Sequence, residues 1–420
     1  MTTITLPSPC LVVLVGVAGS GKSTWAARNF EASHIVSSDA IRALVGEGEG
    51  DQAASKDAFA ILDEVVERRL ARKLTTVIDT LGLDPKRRQA YRTMAAHAAL
   101  PCVAVAIEVD PARVRRFDFP GGPAEVGERL SRIVQTAECC GFESVWVMDH
   151  FRMPPQVGRA WDDMLESYTT LAFLAARTTT IRLGTLVTGI TYRNVAHLGK
   201  IVATLDVLSG GRANCGIGLG WFKQEHEGYG WVLPSVAERY ALVEDALTLL
   251  PQMWGPGNRP FAGTVLSVPD TTCYPRPLQA HIPLLLGGSG EHRTLRLVAR
   301  YADACNLFGE APELRRKIDA LLRHCDDAGR DPADIDVTHL SSVLVADTTT
   351  ELASLIERRR PRSMSAERFA RSANAGTIGQ HVDRLANLSG AGVQLEIVSL
   401  SDLQGPEQIE RFGDVIDAFR

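Results

Sequence analysis

The chain has 420 residues, 45% hydrophobic and 23% charged, a composition that can bury a large core and argues against disorder. A formal net charge of −5 leaves no basic excess for a phosphate backbone, which argues against general nucleic-acid binding and favours small-molecule chemistry. The length exceeds one ordinary domain and suits an α/β barrel of about 250 residues with a small partner.

The eight cysteines are scattered, with no Cys-x-x-Cys and one adjacent pair, Cys139-Cys140. This matches neither a zinc site nor a disulfide framework, so a reducing cytoplasmic setting is expected. Met1 to Cys10 lacks the basic start of a signal peptide, and the apolar run Leu11–Val17 is far too short to span a bilayer. No membrane partner is expected.

Apolar runs of strand length alternate with helix-period segments along the chain: Leu11–Val17, Thr76–Ile78, Val103–Val109, Val145–Met148, Ile181–Val187, Ala213–Ile217, Pro283–Leu286, Ala304–Phe308 and Gln394–Leu400. Strands separated by helices imply parallel sheets. The Arg-rich, Pro-Gly stretch Pro111 to Pro123 marks the junction of two unlike halves, 1–114 and 115–420. The fold class expected is α/β throughout, a truncated P-loop NTPase-like parallel sheet followed by a (β/α)8 TIM barrel.

The first strand runs into Gly16-Val17-Ala18-Gly19-Ser20-Gly21-Lys22-Ser23, a match to G-x-x-x-x-G-K-[ST] with a helical stretch from Thr24 behind it. In this motif the backbone at Gly16, Gly19, Ser20 and Gly21 curls so that N–H groups face phosphate oxygens. Lys22 reaches the β- and γ-phosphates, and the Ser23 hydroxyl ligates Mg2+. Over about the first 110 residues the chain resembles the polynucleotide-kinase-like or gluconate-kinase-like small ATPases. The resemblance implies ATP with Mg2+, and gives acceptor-binding or Mg2+-organising roles to Ser37-Ser38-Asp39 with Arg42 and to Asp79-Thr80. Read by itself, Asp39 is equally an N-cap ahead of Ala40. Such kinases continue into an Arg-bearing lid, whereas here Asp110 to Arg116 leads straight into the second half, so the lid is expected to be truncated and phosphoryl transfer impaired.

Several segments carry the reading of the second half. They are Phe119-Pro120-Gly121-Gly122-Pro123, Ser144 to His150, Tyr192-Arg193-Asn194, Thr204 to Arg212, and Leu286-Gly287-Gly288-Ser289-Gly290. In this order and spacing they resemble the luciferase-like, F420-dependent oxidoreductases, from Phe117 to the C-terminus. The resemblance implies hydride transfer between the deazaflavin and a small organic substrate, with FMN as the alternative cofactor, and a possible homodimer.

Chemistry in such a barrel sits at the C-terminal ends of the strands, so Asp149 and His150 are expected at the mouth. The resemblance puts His150 beside the deazaflavin, in acid/base or cofactor-orienting work; by itself it reads also as a loop histidine bonded to backbone. Gly184 to Gly189 resembles a family segment in which a non-prolyl cis peptide, placed at Leu186-Val187, backs the ring, with Thr188 beside it. The glycines of Gly216 to Gly220 are read as room for a flat ring, with Gly220 in contact. Trp221 stands where some sugar-phosphate-oxidising relatives carry a glutamate proton donor, which argues against importing their substrate. Glu225 and His226 either replace that acid or lie in a solvated loop. Gly287, Gly288, Ser289 and Gly290 follow a buried strand and precede a helical run, the setting of a phosphate clamp. Asn306 is expected to face the mouth. Only Arg115–Phe119 stands where a first barrel strand belongs, so that strand is expected to be shortened, or Val103–Val109 to serve both halves.

Two alternatives stay open at this stage: a P-loop phosphotransferase with a degenerate barrel, and a silent module that binds nucleotide or cofactor.

Overall fold

The computed structural model describes residues 6–15, 22–48, 51, 53–80, 84–106, 122–155, 157–158, 160, 162–361 and 364–420. The chain divides into two compact units, Met1–Arg116 with Pro361–Ser365, and Phe117–Arg360 with Ala366–Arg420. Gly16, Gly19, Ser20 and Gly21 of the phosphate loop, the lid region and Arg115–Phe119 lie outside the described residues.

The first unit is built on a parallel sheet in the order β2-β3-β1-β4, formed by β1 (Leu11–Val15), β2 (Ile35–Ser37), β3 (Thr76–Asp79) and β4 (Cys102–Ala106). Leu11 to Leu14 are all buried, because a parallel strand is covered on both faces and must be apolar on both. Helix α1 (Lys22–Asn29) follows β1, and α2 (Ser38–Val45), α3 (Ser55–Ala71) and α4 (Pro85–His97) complete the layers. In α3 the buried residues Ala58, Leu62, Val66 and Leu70 recur every four positions, one stripe of an α-helix facing the sheet. Cys102–Ala106 pairs with Leu11–Val15 along its whole length, so this stretch is spent on the N-terminal sheet.

In the second unit, seven parallel strands follow one another as neighbours. They are β5 (Ser144–Val147), β6 (Arg182–Thr185), β8 (Cys215–Gly218), β11 (Leu284–Gly287), β12 (Ala304–Leu307), β13 (Asp336–Ala346) and β15 (Leu395–Leu400). This is the strand order of a (β/α)8 barrel from its second to its eighth strand. β7 (Thr188–Gly189) extends the third strand past a break and pairs with β8, a small hairpin of β9 (Phe261–Ala262) and β10 (Ser267–Val268) decorates an insertion, and β14 (Ala375–Thr377) pairs with the far end of β13. Helices α5 (Val126–Cys139), α6 (Ser167–Ala175), α7 (Val195–Ser209), α8 (Lys223–Tyr229), α9 (Val236–Trp254), α10 (Thr294–Tyr301) and α11 (Ala311–Ala328) lie in this unit, followed by α12 (Thr349–Arg359), α13 (Ala366–Ser372), α14 (Ile378–Gly390) and α15 (Pro406–Asp417). No helix among the described residues is long and apolar enough to cross a membrane.

The sequence reading misses β13, and the reason is visible. Its run Thr338-His339-Leu340-Ser341-Ser342 breaks the apolar pattern, but Thr338 accepts from the Asn306 side chain at 2.9 Å, while His339 and Ser341 bond to Glu396 of β15 at 2.7 and 2.5 Å. Paired polar groups can be buried where lone ones cannot.

The stretch Asp206 to Arg212 is a clasp. α7 starts with Asn194 accepting from the His197 N–H at 3.1 Å and ends at Gly210, whose φ of 72° is the left-handed conformation that reverses the chain. The reversal sends Arg212 inward, where its guanidinium donates to the carbonyls of Ser209, Ile181, Ala175 and Thr178 and to the Thr178 hydroxyl, at 2.5 to 3.1 Å. Asp206 holds the returning chain from the other side through the backbone N–H groups of Leu278 and Gln279. Arg212→Ala would leave four buried carbonyls without donors, and the expected loss is about 3 kcal/mol in the barrel's urea unfolding transition. An unchanged midpoint would refute the clasp.

Candidate active site at the barrel mouth

Asp149 and His150 leave the C-terminal end of β5 as neighbours and turn opposite ways. Asp149 is buried; Ser167 donates to it at 2.6 Å and Arg193 clamps both of its oxygens at 2.5 and 3.0 Å. Arg193 also reaches Glu166 at 2.7 Å and lays its guanidinium over the Tyr168 ring. The expected cofactor contact of Asp149 therefore gives way to an ion pair: a buried carboxylate must be compensated, and Arg193 does so. Asp149 does not line the cavity among the described residues.

His150 does line it. Its Nδ1 lies 3.0 Å from Oε2 of Glu225, which has no exposed surface. Glu225 also accepts from the backbone N–H groups of Phe151 at 2.7 Å and Arg152 at 3.1 Å, and from the Tyr192 hydroxyl. Burial alone would raise the Glu225 pKa, but the hydrogen bonds from His150, Tyr192 and the Phe151 N–H outweigh it and hold the group below its ordinary value. An ionised carboxylate only accepts, so Nδ1 of His150 carries the proton, and the neutral ring presents Nε2 as the acceptor. Tyr192 is pushed up, first by its own burial and then by Glu225, and stays a donor.

Glu225 and His226 sit on α8, one turn beyond β8, and both are fully buried. The solvated-loop alternative is thereby corrected. So is the idea of Glu225 as a replacement acid, because all its bonding is directed at holding His150 and the adjacent backbone. His226 bonds Thr191 through Nε2 at 2.7 Å and the Phe222 carbonyl through Nδ1 at 2.9 Å, and it anchors the helix away from the cavity lining.

The Leu186-Val187 peptide is cis, and the break between β6 and β7 turns both side chains to the mouth. Thr188 faces elsewhere, bonded to Tyr168 at 2.7 Å. A Cβ on Gly218 or Gly287 would stand 2.6 or 2.9 Å from Val187, so these glycines make room first for Val187 and only through it shape the floor. The resulting cavity is about 430 Å3, floored by Leu186, Val187, Gly218, Gly220 and Leu340, with Asn306, Gly287 and Gly288 along one wall and Trp221, Val236, Arg239 and Phe308 around the opening. Sequence reasoning missed Tyr192 as a site residue and Val236, Arg239, Phe308 and Leu340 altogether. Only Tyr192 lay in a segment that could have drawn attention.

At the turn, Gly288 has a φ of 120°, and among the described residues the N–H groups of Gly288, Ser289 and Gly290 have no acceptor. They precede α10, whose first turn contains Thr294, itself bonded to Tyr240 of α9 at 3.0 Å. Unpaired N–H groups ahead of a helix N-terminus suit an anionic oxygen cluster, so the turn fits a cofactor phosphate.

In the first unit, Lys22 and Asp39 flank the end of β1 from α1 and α2, and Asp79 ends β3 beside it. Lys22 is buried, which lowers its pKa against the opposing pull of Asp79 and Asp39. Ser37, not Asp39, caps α2 by accepting from Ala40 N–H, which leaves Asp39 to pair with Arg42 at 3.1 Å. Ser23 and Thr24 occupy the first turn of α1.

A family model described as luciferase-like monooxygenase matches residues 112–384. The chain belongs to the luciferase-like monooxygenase family. A second model, described as an AAA domain, matches residues 11–116. Among curated relatives, the family barrel is 33% identical over 227 residues to an F420-dependent glucose-6-phosphate dehydrogenase of Microbacterium testaceum, covering 53% of this chain and 66% of that protein. It is 32% identical over 185 residues to the pyrimidine monooxygenase RutA of Pseudomonas savastanoi pv. phaseolicola, covering 44% and 51%. The chain spans about two thirds or less of the length of these curated relatives. An F420-dependent secondary alcohol dehydrogenase solved with an F420-acetone adduct shares the fold at a TM-score of 0.60 and 20% identity, over 70% of this chain and 96% of that one. Luciferase-like membership and the F420-dependent relatives make the second unit an oxidoreductase.

The Glu225 network has a pH signature. The folded state holds the Glu225 proton less tightly than the unfolded chain, so its stabilisation is complete above the unfolded pKa, about 4.5, and is lost as pH falls through the lower folded value. Urea midpoints measured from pH 6 to pH 3 are expected to fall less steeply for Glu225→Gln than for the wild type. Parallel curves would mean that the carboxylate is not held ionised.

Proposed function

We propose that the barrel transfers hydride between F420 and a small organic substrate, with His150 handling the accompanying proton. The observation that carries the reading is the Glu225-held His150, its Nε2 free of partners among the described residues, beside a cavity whose wall ends in the unpaired N–H groups of Gly288 to Gly290. F420 rather than FMN is favoured by the F420-dependent relatives, and its ring carbon accepts or gives the hydride when it is bound.

The residues divide the work. Gly288, Ser289 and Gly290 hold the phosphate through backbone N–H groups, and Leu186 and Val187 back the ring from the floor. In the oxidising direction the substrate's C–H bond breaks with its electron pair going to the coenzyme, and the hydroxyl proton passes to Nε2 of His150. The resulting imidazolium is stabilised through Nδ1 by Glu225, which keeps its charge and moves no proton. The apolar floor excludes water from the transferred hydride. In the first unit, Lys22, Ser23, Thr24, Asp39 and Asp79 bind ATP with Mg2+, Ser23 as a metal ligand and Lys22 on the phosphates; the AAA-domain match and the Lys22–Asp79 neighbourhood support this.

Anaerobic titration with F420, FMN and NADPH tests the cofactor, with F420 expected to bind tightest. Ser289→Asp places a carboxylate at the proposed phosphate grip and is expected to weaken F420 binding at least about 30-fold by repulsion alone. His150→Ala is expected to bind F420 normally and to lose on the order of a hundredfold or more in turnover. Wild-type binding of FMN but not F420 would overturn the cofactor. Separately, Lys22→Ala is expected to weaken ATP binding by at least about tenfold, read by calorimetry, with F420 affinity unchanged. Equal ATP affinity would remove the nucleotide role.

A further inference from the structure

Three apolar side chains from three separate segments stand half exposed where the cavity opens: Trp221 at 51%, Val236 at 53% and Phe308 at 48%. Exposed apolar groups converging on one opening mark a binding surface rather than chance. Trp221 is also held in place. Its ring stacks on buried Phe222 with centroids 5.1 Å apart, and meets the His150 ring edge-on at 5.8 Å. An indole that is half in solvent yet fixed beside the proton-handling group is a preformed wall for the substrate's body.

Charge points the same way. Among the described residues lining the cavity, Arg239 is the one that carries a full charge, and it is already committed: Nε donates to the Pro234 carbonyl at 3.0 Å and another nitrogen to the Gly220 carbonyl. His150 spends Nδ1 on Glu225, and Asn306 spends its amide N–H on Thr338 at 2.9 Å. A phosphate dianion or a carboxylate entering here would shed its hydration without charged donors to replace it. An uncharged molecule with one hydroxyl or carbonyl group needs only Nε2 of His150.

From this we infer that the site takes an uncharged, largely apolar alcohol or carbonyl compound, gripped by Trp221, Val236 and Phe308, and rejects sugar phosphates. The inference rests on the hydride-transfer reading for the role of His150, and goes beyond it by naming the substrate class and Trp221 as its selector.

The test uses the full chain loaded with F420, loading being followed by coenzyme fluorescence. Calorimetric titration with 1-phenylethanol and with glucose 6-phosphate is expected to give at least tenfold tighter binding of the alcohol. Trp221→Ala is expected to weaken 1-phenylethanol at least tenfold with the F420 Kd unchanged, and Trp221→Phe to restore most of it. Glucose 6-phosphate binding as well as or better than the alcohol would overturn the inference. So would Trp221→Ala leaving the alcohol's Kd where it was, the result expected if the rim instead meets another protein. Failure to take up F420 would sink the cofactor reading alone, and the same two titrations on the unloaded chain would still decide the substrate class.

Discussion

Glu225 is the constraint around which the barrel mouth is organised. A carboxylate with no exposed surface would be costly to bury unless its lone pairs were filled. They are filled from two directions: by the N–H groups of Phe151 and Arg152 with the His150 ring after β5, and by the Tyr192 hydroxyl after β7. Three segments far apart in sequence are thereby fixed at one point. The neighbouring pair repeats the arrangement with the charges exchanged, since Arg193 follows Tyr192 and closes on Asp149, which precedes His150. The two locks together decide that of two adjacent polar residues one faces the cavity and the other is sealed behind it.

That interlock also marks where the sequence could be read and where it could not. Runs such as Leu11–Val15 and Leu284–Gly287 announce themselves, because a strand covered on both faces must be apolar throughout. The phosphate-loop spacing and the glycine turn after β11 are equally plain, since the backbone conformation needs those residue types. Polar burial is different, because it depends on partners that arrive from elsewhere. Lys223 to Tyr229 reads as a polar insertion, yet Phe222, Glu225, His226 and Tyr229 recur at helical spacing, and the buried face of α8 carries two ionisable side chains. Asp149 was aimed at the mouth by its place at a strand end; only the position of Arg193 reveals that it turns away. β13 failed for the same reason, its polar positions being matched by Asn306 and Glu396.

The glycines show a subtler limit. Their abundance at the ends of β8 and β11 correctly signals close approach, but the first thing to approach is Val187, carried inward at the cis peptide. A protein side chain and a ligand ring make the same demand on the backbone, and composition does not distinguish them. The wall that does distinguish ligands is made of residues without a motif: Val236, Phe308 and Leu340 have no neighbours in sequence to announce them, and they meet only because barrel loops converge.

A hydride donor or acceptor needs a dry surrounding, whereas a phosphate-bearing coenzyme needs a polar one, and the two demands conflict within a single cavity. On the proposed reading the barrel reconciles them by using neutral donors. The N–H groups of Gly288 to Gly290 and the start of α10 offer partial positive charge with no side-chain cation and no counterion, confined to one wall. The remaining walls can then stay apolar, and the charge of Glu225 is kept one hydrogen bond away, behind the His150 ring. A lysine at the turn would grip phosphate more strongly, but its field and its water would extend to the ring pocket. Backbone donors restrict both to the place where they are needed.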